Sequence, residues 1–521
     1  MIQLNKKLIV TTFCLIILAE ALSFVTFLHP GVNPWVFEAV ALAALALTVW
    51  KLEWGVYLVF AELVIGSFGK LFVIQFGGIE LSIRVVLWLI VLSVWLAHVV
   101  KTRRIAFFHS QFFKPYLALA IVLTWGIVWG WARANDFGDM FFDVNNYLYF
   151  LLIFPVYEVL AQKRDATLLS GGQVNRVFTI LTAAIAWLSI KTIVLFYIFS
   201  HELFGLQDVL YAWSRKFQLV EITSIGPTVL ASRVFMQSQV WILFGLFVAF
   251  SVILNGAKPA RGWLRSRVRS LAMTVLLSAA IIMSLSRSFW LAAVVSLALL
   301  VTLLLFVFRE RILSVLRFSG IMVGVIALGV SLTLGVANFP IPAGSSGSSV
   351  ITERATKFSG EAAASSRYSQ IRPLLTAIAK HPAIGSGFGQ AVTYQSKDPR
   401  VLKSHPDGWY TTTAFELGWL EMWLKLGLVG LGAYLYLLWR ILKAGWQRIK
   451  ATRIYELHPY DPNKNSEHSD VHSGHLDRYM ILGALVGLIA IIITHGVSPY
   501  LNHPLGIGVV MLVTALVDKE N

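Results

Sequence analysis

A chain of 521 residues that is 57% hydrophobic and 13% charged, with a mean hydropathy of +0.72, has mostly lipid for a solvent and no polar stretch large enough for an independent soluble core. The formal net charge of +16 is read as topology and contact with anionic lipid, not as nucleic-acid binding, because lysine and arginine at the ends of spans set orientation. A single cysteine, Cys14, excludes an intramolecular disulfide.

Apolar runs recur at 8–28, 33–50, 54–75, 80–100, 115–133, 145–161, 175–199, 238–256, 270–286, 288–308, 318–338, 411–440, 478–498 and 500–517. Backbone polar groups in lipid must be satisfied within the segment, and about twenty residues of helix cross a bilayer. The expected fold class is therefore all-α: a polytopic integral membrane protein of about fourteen transmembrane helices. The first run has a basic start, then Glu20 and no small-residue cleavage site, so it reads as a retained helix.

The basic clusters are Lys6/Lys7, Lys101/Arg103/Arg104, Lys163/Arg164, Lys258 to Arg269, Arg309/Arg311/Arg317 and Lys443 to Arg453. If the N-terminus is cytoplasmic and the spans alternate, all of them fall on the cytoplasmic side of the membrane. The same alternation leaves outside the segment Arg133 to Asp143, the loop 200–237, the turn at Ser286-Arg287 and a long polar loop at 339–410. The chain thus divides into N-terminal helices at 1–219, a region 220–440 that includes the long loop, a polar connector at 441–477 and C-terminal helices at 478–521.

Polar residues inside apolar runs mark either ion paths or internal pairs. Glu20, Glu38, Glu62, Arg84 and Lys191 are of this kind; a midplane path through them would make the chain a transporter of an anionic or lipid-linked substrate, which is the competing reading. Arg233 lies in the 200–237 loop, and Arg287 sits in Ser284-Leu285-Ser286-Arg287-Ser288-Phe289-Trp290 between two apolar runs. Arg287 either snorkels to the headgroups or faces a polar cavity, since a lipid-facing arginine is costly.

The long loop opens on the glycine-serine stretch 344–349 and carries Arg354, Arg367, Arg372, His381, Arg400 and His405. Ile371, Leu374, Leu375 and Ile378 recur at helical spacing, which predicts an amphipathic helix at the interface or capping the bundle. Arginines on the outer face fit an anionic substrate such as a diphosphate, because the guanidinium fork donates two parallel hydrogen bonds and keeps its charge. The run Gly385-Ser386-Gly387-Phe388-Gly389 follows no strand and is not a nucleotide loop. The histidines and acids of 451–476 read as a polar cytoplasmic connector, not as a metal centre.

The order Ser286-Arg287-Ser288-Phe289-Trp290-Leu291-Ala292, then Arg367 to Pro382, then Gly385-Ser386-Gly387-Phe388-Gly389, then Leu426-Gly427-Leu428-Val429-Gly430, resembles the O-antigen ligase and O-antigen polymerase (Wzy-type) superfamily over about residues 220 to 440. The resemblance implies a fold of the GT-C type of glycosyltransferase and an outward-facing site. There a glycan would pass from a polyprenyl-diphosphate donor to a glycan or lipid acceptor, without a metal or other cofactor and with inversion. It also implies that Arg287 and Arg367 hold the diphosphate, with Arg372 and Arg233 as weaker candidates. Members commonly carry His-Asn eleven residues before the Gly-x-x-Gly pair; here that position is Glu416, and the nearest outer histidine is His405. Either group can take a proton from an acceptor hydroxyl, so both remain candidate bases.

Overall fold

The computed structural model of the protein describes residues 5–161, 172–203, 205–224, 232–254, 263–339, 362–457 and 468–518. Arg354, the 344–349 stretch, Lys163, Arg164, Lys258, Arg261 and residues 458–467 of the polar connector lie outside the described residues. The first half runs α1 (Lys6–Leu28), α2 (Asn33–Trp50), α3 (Leu52–Ile65), the hairpin β1 (Val73–Phe76) and β2 (Ile79–Ser82), α4 (Ile83–Thr102), α5 (Phe113–Ala132), α6 (Phe137–Tyr147), α7 (Ile153–Ala161), α8 (Gly172–Ser200) and α9 (Leu206–Lys216). The antiparallel pair β3 (Glu221–Ser224) and β4 (Ser232–Phe235) leads to α10 (Val240–Leu254), α11 (Trp263–Met283), α12 (Arg287–Thr302) and α13 (Ile312–Asn338). The long loop then contributes α14 (Ala362–Lys380), β5 (Val392–Gln395), α15 (Pro399–Ser404) and β6 (Trp409–Thr412), and the chain ends with α16 (Gly418–Leu457), α17 (His468–His495) and α18 (Pro504–Val517).

Among the described residues eleven helical segments are long and apolar enough to cross a membrane, and 268–283 and 504–517 are shorter apolar helices. The protein is an all-α polytopic membrane protein, and among the described residues the strands form three separate two-stranded pairs. Two span boundaries differ from expectation. The apolar run 54–75 is helical only to Ile65, because a turn with Gly69 at φ +87° leads into the β1–β2 hairpin. The run 411–440 begins its helix only at Gly418, because Trp409–Thr412 is drawn off to pair with Val392–Gln395 in the register Tyr394 opposite Tyr410.

Contacts between connecting segments fall into two groups. In one, Ser498 reaches Ser288 at 3.4 Å, Gly389 N–H donates to Asp143 at 2.8 Å and the rings of Phe68 and His503 meet at 6.0 Å. In the other, Ser110 donates to Asp518 at 2.5 Å, Arg448 donates to the Leu516 carbonyl at 2.9 Å and Tyr479 reaches Glu310 at 3.4 Å. Helix α18 forms the interior of the bundle, with every residue from Pro504 to Val517 buried. In lipid such packing and interhelical hydrogen bonds hold helices together, since burial from hydrocarbon brings no hydrophobic gain. Four of the five charged residues found in apolar runs are closed on one another in two pairs: Lys191 Nζ lies 2.8 Å from Glu20 and Arg84 Nε 2.8 Å from Glu62, all four buried.

Candidate functional site

The site is built around a break in α16. At Gly427 the backbone takes φ +70° and ψ −174°, which interrupts the helical hydrogen bonds of a membrane span. The loop 382–389 enters this gap and replaces them. Ser386 and Gly387 N–H donate to the Leu424 and Lys425 carbonyls at 2.8 and 3.0 Å, while Leu428 and Val429 N–H donate to the Pro382 and Ala383 carbonyls at 2.9 and 3.1 Å. Non-helical backbone is tolerated at membrane depth only when its polar groups are satisfied in this way. The glycines are required by space as well as by conformation: Gly385 and Gly387 have φ of +75° and +81°, and a Cβ on them would lie 2.4 Å from Gly427 N and 2.3 Å from Gly130 N. Helix α5 receives the loop from below, with Phe388 N–H on the Gly126 carbonyl at 3.0 Å and Asn135 Nδ2 on the Phe388 carbonyl at 2.7 Å.

A buried charge cluster locks the same junction. Lys425 Nζ donates to Asp143 at 2.7 Å and to Glu421; Asp143 also accepts from Gly389 N–H, and Glu421 accepts from Asn502 at 3.1 Å. Helix α6, the glycine loop, α16 and the 496–503 loop therefore meet at one point. The spacing of Glu421 and Lys425, four residues apart in an apolar span, is the signal in sequence for this cluster, though nothing in the sequence pairs it with Asp143.

Above the plug lies α14, the amphipathic helix expected from the loop's periodicity. Leu374 and Ile378 are buried against Phe415, Leu424 and Val392 in a small core of their own. Leu375 is 45% exposed, contrary to its expected place on the apolar stripe, because it lies one residue and about 100° round from Leu374. On the inward side of α14, Gln370 donates to the Tyr394 hydroxyl at 3.1 Å and accepts from Glu416 N–H at 3.1 Å. Arg367 Nε lies 2.9 Å from Glu416 Oε2, and both side chains are 31% exposed. Two residues singled out from distant parts of the sequence are thus an ion pair at the mouth of the site. Glu416 stands two residues before α16 begins and so belongs to the irregular segment, not to the helix. Burial pushes the Tyr394 phenol above its ordinary range, against the opposing effect of hydrogen bonds from Gln370 and Ser366.

Arg233 and Arg287 belong to a separate arm, at the turn between α11 and α12. Leu285, at φ +47°, makes the tight turn between α11 and α12, and Arg287 is the first residue of α12. Arg233 in β4 donates from Nε to the Ser284 carbonyl at 3.2 Å, which ties its strand to that turn. Phe289, fully buried, packs on Phe235 at 5.9 Å and Tyr500 at 5.7 Å and so anchors the start of α12. The 496–503 loop connects the arms: Ser498 touches Ser288, Asn502 touches Glu421, and His495 packs against Trp419 at 4.5 Å, three residues from Glu416. Beside this arm lies a cavity of about 680 Å³ whose lining includes the amides Asn145, Asn146, Gln218 and Gln237, the rings Phe142 and Phe235, and the charged Lys70, Arg215 and Glu221.

The remaining two candidates lie elsewhere. His405 is exposed, hydrogen-bonded to its neighbour Ser404 at 3.0 Å and 5.6 Å from the Tyr410 ring, which in turn is 6.1 Å from Tyr394. Two aromatic rings thus stand between it and the Gln370–Glu416 network. Arg372 lies five residues after Arg367, about 140° round the helix, and lines a different cavity with Arg133, Lys380 and His381. The sequence did not single out Gln370, Lys425 or that cavity.

Residues 272–435 match the family model described as O-antigen ligase. The match includes the Arg287 turn, α14, the glycine loop, Glu416 and the break in α16. No curated protein matches the chain.

Proposed function

We propose that this chain, an O-antigen ligase or polymerase-type membrane enzyme by its residues 272–435, transfers or polymerises a glycan from a polyprenyl-diphosphate donor onto an acceptor hydroxyl at the outer face of the bacterial inner membrane. The observation that carries the reading is the Arg367–Glu416 pair at 2.9 Å, partly exposed beside the glycine loop. A guanidinium that suits a phosphate and a carboxylate that suits a hydroxyl proton occupy one spot, where leaving group and acceptor must meet. An arriving diphosphate competes with Glu416 for Arg367, and as it takes the guanidinium it frees the carboxylate.

The step balances without a metal. The acceptor oxygen bonds to the anomeric carbon from the face opposite the phosphate, its proton passes to a Glu416 oxygen, and the carbon–oxygen bond to the diphosphate breaks with its electron pair leaving on the polyprenyl diphosphate. Arg367, with Arg287 and Arg233 from the other arm, neutralises that leaving charge. The amide and aromatic lining of the 680 Å³ cavity supports a sugar-binding role beside Arg233, since amides match hydroxyls and rings match the C–H faces of pyranoses. Paired charges also weigh against a transport path, because Glu20 and Lys191, and Glu62 and Arg84, are closed on each other.

The test is glycan transfer by purified protein from a lipid-diphosphate donor in the presence of EDTA. Loss of about a hundredfold or more in Arg367→Ala and Arg287→Ala, with Glu416→Gln more damaged than His405→Ala, is the expected result. Full activity in both arginine variants would remove the clamp. Damage confined to His405→Ala would transfer the base to that residue.

A further inference from the structure

The side of α14 turned away from Glu416 lines a second cavity, of about 470 Å³, into which Arg133, Arg372, Lys380 and His381 all face. No aspartate or glutamate is among its lining residues. Arg372, Thr376 and Lys380 form one stripe of the helix at four-residue spacing, so the regular turn of α14 sets the two amino-acid cations on one wall. Arg133 enters from the opposite wall as the C-terminal cap of α5, a membrane span, with its Nη1 2.7 Å from His381 Nε2. In that contact the guanidinium donates and the imidazole nitrogen accepts, so Arg133 is not closed on a carboxylate there, and the cations Arg133, Arg372 and Lys380 gathered in a concave site raise the local affinity for an anion.

Depth supplies the second argument. The floor loop is held by tryptophans, with Trp129 Nε1 on the Gly385 carbonyl at 3.2 Å and Trp423 Nε1 on the Pro382 carbonyl at 2.9 Å, while Trp131 beside Arg133 is 76% exposed. Such a ring of indoles marks the headgroup level of a bilayer, where lipid phosphates lie. The floor is also rigid: Ser386 and Val392 are buried and the glycine loop is pinned into α16.

We infer that the cavity of Arg133, Arg372, Lys380 and His381 is a phosphate-binding site at headgroup depth, separate from the Arg367–Glu416 pair. Its ligand is a phosphate group carried by a lipid or presented free. The inference concerns binding in the absence of any glycan donor, so it stands or falls independently of the transfer reaction.

Full-length protein in phosphatidylcholine nanodiscs is assayed in two arms: titration with inorganic pyrophosphate, and native mass spectrometry of retained phosphatidylglycerol after its addition to the discs. The variant Arg372→Gln/Lys380→Gln removes two cavity cations; Lys397→Gln/Lys403→Gln removes two exposed lysines of the same loop as a charge-matched control. The expected result is a site at least tenfold weaker in the cavity variant and unchanged in the control, with equal thermal midpoints for all three proteins. Loss in the phosphatidylglycerol arm alone assigns the site to a membrane lipid, and loss in the pyrophosphate arm assigns it to a free or donor phosphate. Equal binding by wild type and cavity variant in both arms, or equal loss in the control, would overturn the proposal.

Discussion

The buried pairs Glu20–Lys191 and Glu62–Arg84 and the surface pair Arg367–Glu416 have the same chemistry and nearly the same separation, 2.8, 2.8 and 2.9 Å, yet their surroundings give them opposite uses. The first two are sealed inside the helix bundle, where neither charge can find water and each holds two spans in register. The third is 31% exposed on both sides, where water and a competing anion can replace either partner at small cost. A closed pair is a fastener; a partly exposed pair can exchange partners, which is what the proposed reaction asks of Arg367 and Glu416.

The largest effect that tests this contrast comes from Arg84→Ala, which strands Glu62 in the bundle. A loss of about 3–5 kcal/mol is expected, read as a lowered unfolding midpoint in detergent. Stability equal to wild type would mean that the pair is not sealed. Next is Gly387→Ala, whose new methyl meets Gly130 at 2.3 Å and whose φ of +81° disfavours any side chain. A cost of about 2–4 kcal/mol is expected, and an unchanged midpoint would argue that the plug does not enter the broken helix so closely. Arg367→Ala should behave in the opposite sense to Arg84→Ala: stability within about 1 kcal/mol of wild type, with transfer down about a hundredfold. A joint fall in midpoint and rate would make the surface pair a fastener too. The smallest effect is expected for His405→Ala, with rate and midpoint within about twofold and 0.5 kcal/mol of wild type, as befits a histidine outside the Gln370–Glu416 network.

Much of this was legible before any coordinates. Apolar runs mark helices because lipid forces backbone groups to pair within the segment, and the basic clusters order those helices onto two faces. The periodicity of 371–378 marks α14, although Leu375 lies off its buried stripe. Arg287, Arg367 and Glu416 were singled out by motif order, and Arg367 and Glu416 meet in space. The sequence was less informative about Gly385-Ser386-Gly387-Phe388-Gly389, since a glycine run states a need for positive φ or close approach without naming what approaches. Its partner is a break in α16 about forty residues later, and only packing brings the two together.

The sequence alone therefore determined the class of protein, the helical segments and the residue types gathered along the amphipathic helix, because these depend on composition and on spacing along one helix. Tertiary structure decided which charges are closed and which are open, that Arg372 belongs to a basic cavity and not beside Arg367, and that Asp143, Glu421 and Lys425 form one buried knot. The reason is geometric. Five residues turn a helix by about 140°, and partners 282 residues apart, as Asp143 and Lys425 are, are joined by the folding of the whole chain and by no local pattern.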